Sequence, residues 1–399
     1  MKSQALRKMA IAMAITSTVA SGRVRADQIG TIWVLALENH NWTQPNPTGS
    51  PQQIYSNTAA PYINSLVTPG HANAAQSAYA TSKYHAGIGV HPSETNYVWA
   101  EAGTDFGNHT NADPSAGAGN IYNVPHLTQQ LNAKGISWRN YQEDVQYSTA
   151  PTISANGNGG IAASGASVVN NPYYHTQQYD YAVKHNPMAF FADTANQNVR
   201  TFTQLSADIA SNNFGRYNWI TPNQYNDMHS PLSTNLTYAG TTYTAGTDQQ
   251  AVAQGDSFLS QIIPAIQATA AYQNNGAIII WFDETVGGDT PTNTIGEIVL
   301  SPLAKGNAFA SNVVMSHSSD LKTMEELMGL PFINNPIPAS ETNVFGTGYN
   351  TVSSANDLSS LFVPNAIPEP TTLSLVGISA MALLSRRRRR MVTLEKLPR

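Results

Sequence analysis

The chain has 399 residues and no cysteine, so a packed core and not a disulfide framework must hold it together. The formal charge of −5 is unevenly spread: the first 26 and last 35 residues hold twelve of the 20 Lys and Arg. The body between them carries eight against 23 Asp and Glu, a net charge of −15. Such a body repels nucleic acid and anionic membrane surfaces at long range, and roughly 340 residues suit one large α/β domain or two small ones.

In chain order, Met1 to Ala26 begins with Lys2, Arg7 and Lys8, continues with the apolar Met9 to Ile15 and ends in small residues, the layout of a secretory signal. Thr31 to Leu37 is a continuous apolar run, the mark of a strand buried on both faces, and it stops on Glu38-Asn39. Pro61 to Leu66 reads as a short helix. His91-Pro92-Ser93 reads as a turn before a helix starting near Thr95, and 102–120 as a long loop. Val124, Leu127 and Leu131 recur at helical spacing before Gly135, and Ile136 to Tyr141 alternates as a strand does. After a second long loop over 152–171, Arg216 to Ile220 is a further strand, with Thr221-Pro222-Asn223 and Asp227-Met228-His229 beyond it. Phe258, Leu259, Ile262, Ile263 and Ile266 trace one helix face that Pro264 should kink. Gly276 to Phe282 is a second fully apolar strand, and it stops on Asp283-Glu284. The last helix, through Leu321, Met324, Leu327 and Met328, is opened by Ser318 or Ser319 and closed by Gly329. This alternation predicts an α/β fold whose mostly parallel central sheet is sandwiched between helices.

Ligands of open α/β sheets bind beyond the carboxyl ends of the strands, so Glu38, Asn39, Asp283 and Glu284 are predicted to meet at one sheet edge. Acids in such places also cap the elements that follow, but two pairs together suggest a bound cation. Hydrolysis of a phosphate ester needs an activated oxygen nucleophile, positive charge against the phosphoryl oxygens and a proton for the leaving group. Only three arginines remain in the body, none beside the acids in sequence, which makes a metal the better source of charge. Ser93 is the candidate nucleophile, with Asn96 as a donor to a phosphoryl oxygen.

Eight short motifs carry a family resemblance. They are Leu37-Glu38-Asn39-His40, His91-Pro92-Ser93 with Asn96-Tyr97, Asn123-Val124-Pro125-His126-Leu127, Ser137-Trp138 with Tyr141 and Glu143, Lys184-His185-Asn186-Pro187, Thr221-Pro222-Asn223 with Asn226-Asp227-Met228-His229, Phe282-Asp283-Glu284, and Ser316-His317-Ser318. In this order they resemble the bacterial phosphoesterase family of acid phosphatases and phospholipases C, within the alkaline-phosphatase-like superfamily. The resemblance implies a phosphoseryl intermediate on Ser93 and a divalent metal held by Glu38, Asn39, Asp283, Glu284 and Asp227. It also implies His185 and His229 at the phosphate, one of them the acid, and Asn96 and His317 as substrate contacts. Thr95 stands where the family usually has proline, which makes it a rival nucleophile.

The C-terminal end, Ile367-Pro368-Glu369-Pro370 followed by a largely apolar 373–384 and Arg386 to Arg390, resembles the PEP-CTERM sorting signal of Gram-negative bacteria. That resemblance implies export, an exosortase-type processing enzyme as partner and transient membrane contact through this segment. The sequence therefore divides into a signal peptide at 1–26, a phosphoesterase domain at 27–364 and a sorting segment at 365–399. The expected activity is that of an exported phosphomonoesterase of acid-phosphatase type on a small phosphate ester. Its rivals are a phospholipase-C-like phosphodiesterase and a catalytically silent surface or matrix protein.

Overall fold

The structure, a computed structural model, describes residues 28–43, 52–87, 89–115, 117–145, 181–195, 197–286, 292–338 and 352–368. The expected signal peptide, the 152–171 loop and the sorting segment from 369 onward lie outside the described residues.

Twelve strands form in these regions. The first six are β1 (Ile32–Leu37), β2 (Ser77–Ala80), β3 (Tyr84–His85), β4 (Trp138–Gln142), β5 (Val199–Arg200) and β6 (Tyr217–Thr221). The others are β7 (Leu236–Tyr238), β8 (Thr241–Tyr243), β9 (Ala277–Phe282), β10 (Glu297–Leu300), β11 (Phe309–Ser311) and β12 (Met315–Ser316). Eight of them make one sheet in the order β11-β2-β10-β9-β1-β6-β4-β5. Within it only β10 runs against its neighbours. The two wholly apolar runs of the sequence, β1 and β9, lie side by side near its centre and are buried along their whole length. Burial on both faces requires helices as cover, which the βα alternation supplies.

The helices are α1 (Pro61–Leu66), α2 (Ser93–Ala102), α3 (Leu127–Lys134), α4 (Phe202–Ser211), α5 (Asp248–Gln267), α6 (Ala270–Gln273) and α7 (His317–Met328). α1 packs on α5, and α2 packs on α3 and α7. Among the described residues no helix is long and apolar enough to cross a membrane. Three starts differ from the sequence reading. α2 begins at Ser93 and not near Thr95, because the extended Pro92 serves as its N-cap. α7 begins at His317, where Ser319 Oγ accepts from the Ser316 N–H at 2.9 Å. α5 starts well before its apolar stripe, at the Thr247 cap, and continues through Pro264 to Gln267. α4 has a signal the sequence reading passed over, the reciprocal capping box of Thr201 and Gln204. The packed body also runs slightly past 364: Ile29 N–H donates to the Ala366 carbonyl, and Ile367 is buried.

Two helix starts and the segment after the last helix have backbone N–H groups satisfied by buried acids. α1 opens on Pro61, and its next two N–H groups, on Tyr62 and Ile63, both donate to Asp256 of α5, at 2.8 and 2.7 Å. Glu101 of α2 accepts from the Thr128 N–H and hydroxyl at the start of α3, and Glu325 of α7 accepts from the Ile333 N–H. Burial pushes these three carboxyls up, Asp256 and Glu101 to about 7 and Glu325 to about 8. Groups raised on folding stabilise the protein in their protonated form. Their contribution is complete below the unfolded values and is lost as pH rises through the folded ones. The melting temperature should therefore fall by about 3 °C between pH 7 and 9, a window in which histidines of the unfolded chain are mostly neutral. Calorimetry of the wild type beside Glu325→Gln tests this, the substitution flattening the upper part of the fall.

Candidate active site

The site is built where β1 and β9 end. Their register pairs Leu37 with Phe282, and Asp283 N–H donates to the Leu37 carbonyl at 3.1 Å, so Glu38 and Asp283 leave the sheet together. Asp227 joins them from the segment after β6, its carbonyl accepting from the Glu38 N–H at 2.8 Å. That segment is fixed by Glu143, just beyond β4, which accepts from the Asn223 N–H and the Asn226 amide. Two residues of the site have left-handed backbones. Asn39, a residue type that tolerates this region, has φ 50° and turns its N–H toward Asp283 Oδ1 at 2.8 Å. Met228 has φ 78°, a strained position for a side chain of its size, and it directs the His229 N–H onto Asp227 Oδ1 at 2.8 Å.

Ser93, the first residue of α2, is 3% exposed and donates to Glu38 Oε2 at 2.9 Å, with Glu284 Oε1 at 3.4 Å on its other side. Glu284 Oε2 is held by His91 Nδ1 at 2.7 Å and by the Asn96 amide at 3.1 Å. The other oxygen of Glu38 accepts from the Tyr97 hydroxyl at 2.6 Å, while the Asn39 amide donates to the oxygen that Ser93 uses. The Tyr97 ring lies edge-on to Trp219 and Trp281 and stacks on His185 at 5.1 Å and 9°. A large aromatic cluster thus supports one face of the buried charge.

Electrostatics sharpen the picture. Glu38 is held well above the usual carboxylate range, first by burial and then by Asp283 and Asp227 beside it. Burial and Asp283 also push Glu284 up to about 7. His185 is held well below the usual imidazole range by burial, with His229 and Lys184 adding to the effect, so its ring is neutral. Its Nδ1 lies 3.4 Å from Glu38 Oε1 and 3.5 Å from Asp227 Oδ2, and among the described residues neither ring nitrogen has a hydrogen-bond partner. Asp283 Oδ2 is likewise buried without one. Ligand atoms of Glu38, His185 and Asp227 all lie within 4.8 Å of one another. Crowded buried carboxylates around a neutral imidazole, whose unprotonated nitrogen offers a lone pair, are the donor set that a divalent cation takes.

The predicted residues divide by position. Glu38, Asn39, Ser93, Asp227, Asp283, Glu284 and His185 converge. His229 is exposed, with its ring 6.0 Å from that of His185. Asn96 gives its amide hydrogens to Glu284 and to the Val90 carbonyl, which makes it a brace for the carboxylate. Both ring nitrogens of His317 are engaged within the protein, by the Asp283 carbonyl and the Tyr84 hydroxyl, so it lies behind the acids. Thr95 turns its hydroxyl back onto the Pro92 carbonyl at 2.7 Å and takes no part. Tyr97 and His91 join the site without being among the residues that the sequence predicts for it. Tyr97 carried a signal: four residues after Ser93, it shares a helix face with Ser93 once the helix starts there. His91 had none beyond its nearness to the turn.

Residues 36–331 match the Phosphoesterase family, and 366–390 match the PEP-CTERM protein-sorting motif. A phosphatidylinositol-3-phosphatase of Mycobacterium tuberculosis is 26% identical over 70% of this chain and 73% of its own. A probable acid phosphatase of Kluyveromyces lactis is 30% identical over 38% of this chain and 32% of its own. An acid phosphatase of Aspergillus fumigatus is 26% identical over 53% and 39%. The chain therefore spans only about a third to two fifths of those fungal relatives. Among solved structures, an alkaline phosphatase superfamily protein from Vibrio parahaemolyticus aligns over 81% of this chain and 75% of its own, with a TM-score of 0.44 and 8% identity. The assignment of fold rests on the sheet described above. With a family match that runs from β1 past α7 and takes in every converging residue, the chain belongs to the phosphoesterase family, hydrolases of phosphate esters.

Proposed function

We propose that this chain is an exported, metal-dependent phosphomonoesterase that acts through Ser93. The observation that carries the reading is the position of the Ser93 hydroxyl between Glu38 and Glu284, on the first turn of a ten-residue helix. A carboxylate within hydrogen-bond reach can take the hydroxyl proton as the oxygen attacks, and the helix N-terminus favours the negative charge that develops. Glu38, Asp227 and His185 would hold a divalent cation, with Asn39, Asp283 and Glu284 on the adjoining side. When bound, the cation supplies positive charge against the phosphoryl oxygens and makes the serine hydroxyl easier to deprotonate.

In the first step the Ser93 Oγ–P bond forms as the P–O bond to the leaving alcohol breaks, and the alcohol oxygen takes a proton. In the second, water attacks the phosphoseryl phosphorus as the P–Oγ bond breaks, Ser93 Oγ recovers its proton and phosphate is released. Of the two histidines, exposed His229 is the one suited to deliver the proton, since it exchanges with solvent, whereas His185 is neutral and enclosed. The monoester preference is supported by the relatives, which are phosphatases, and export is supported by the sorting motif.

The test is hydrolysis of p-nitrophenyl phosphate and bis(p-nitrophenyl) phosphate by the purified protein with Mn²⁺, Mg²⁺, Ca²⁺ or Zn²⁺, before and after EDTA. Faster turnover of the monoester, abolished by EDTA and restored by one metal, is expected. A faster diester reaction would move the protein to a phospholipase-C-like class, and no reaction with either ester would leave the silent surface protein. Ser93→Ala should lower kcat by about 10³-fold or more while the melting temperature changes little. His229→Gln should slow an alkyl phosphate by about 10²-fold yet leave p-nitrophenyl phosphate far less affected, because a good leaving group needs no proton. Equal losses on both esters would remove His229 as the acid.

A further inference from the structure

The two strand-end acids are held by their main chains as well as by their side chains. His40 Nδ1 lies 2.8 Å from the backbone oxygen of Glu38, and His317 Nε2 lies 2.6 Å from that of Asp283. A carbonyl oxygen only accepts, so each of these ring nitrogens carries a proton. The opposite nitrogen of each ring leads to an aspartate on a helix. His40 Nε2 is 3.4 Å from Asp248 Oδ1 at the start of α5. His317 Nδ1 is 2.9 Å from the Tyr84 hydroxyl, which is in turn hydrogen-bonded to Asp320 in the first turn of α7.

Both contacts fall where β1 and β9 have run out of ladder hydrogen bonds, so each histidine replaces the support that a neighbouring strand would have given. Behind Asp283, Tyr84, His317 and Glu297 are buried, and burial pushes the neighbouring Asp320 up to about 7. With the proton on Nε2 fixed by the Asp283 carbonyl, Nδ1 of the neutral ring is the acceptor that faces the Tyr84 hydroxyl, and Asp320 holds that hydroxyl in place.

We infer that His40 and His317 are positioning residues for Glu38 and Asp283, and that Tyr84 with Asp320 fixes the tautomer in which His317 does so. The inference rests on the cation-assisted reading above. The spacing of the two carboxylates follows from where their main chains are held, and outer groups of this kind set metal affinity through the ligands they orient.

The experiment compares wild type, Tyr84→Phe, His317→Gln and His317→Ala of the purified full chain. Mn²⁺ binding is read by calorimetry, melting is measured in EDTA, and kcat and KM are measured on p-nitrophenyl phosphate. His317→Ala is expected to weaken Mn²⁺ binding by about 10- to 100-fold and to lower kcat in parallel, with KM within about twofold and little change in EDTA melting. His317→Gln, which keeps an N–H at a similar reach, recovers most of the loss. Tyr84→Phe removes one oxygen and gives a smaller loss in the same direction. Unchanged Mn²⁺ affinity in both Tyr84→Phe and His317→Ala overturns the inference, as does equal impairment by alanine and glutamine. A wild type that binds none of the divalent ions overturns the cation reading as well.

Discussion

The site depends on one pairing: Leu37 of β1 beside Phe282 of β9. Six buried residues on each strand fix that register, because a slip by one residue would turn each set of side chains to the opposite face. Once it is fixed, the residues that follow must emerge together, and in this chain they are Glu38 and Asp283. The sheet thus forces two carboxylates into one desolvated place, an arrangement unstable in itself. Much of the surrounding structure is a response to that crowding.

The response comes largely from hydrogen-bond donors on neighbouring elements. Ser93, Asn39 and Tyr97 all donate to Glu38, and Asn96 with His91 holds Glu284. Hydrogen bonds to a carboxylate lower the cost of burying it but do not remove the charge, and Glu38 remains raised well above its ordinary value. On the proposed reading a divalent cation would offset the remaining charge, and it would also draw in an anionic ester against the field of an acidic body of net charge −15.

Buried acids recur elsewhere for a simpler purpose. Asp256, Glu101 and Glu325 satisfy backbone N–H groups of other segments, and so tie neighbouring elements together without disulfides. Their raised values link the fold to acidic conditions by the same desolvation that raises Glu38.

The sequence by itself determined the central strands, the acids at their ends and the serine turn, because unbroken apolar runs and the residues that stop them are local signals. It also carried the eight ordered motifs and the sorting motif, which are patterns of residue type. It left α4, the β7–β8 hairpin and β10 unread, the last because four residues beginning with Glu297 offer too short a pattern. Only the tertiary structure decided that Ser93 opens a helix, which is what brings Tyr97 onto Glu38. It alone separated the two histidines into one enclosed and one exposed, and placed His317 behind Asp283. The physical reason is that a side chain's charge, tautomer and partner are set by burial and by neighbours far away in the chain, and no local pattern of residues encodes those.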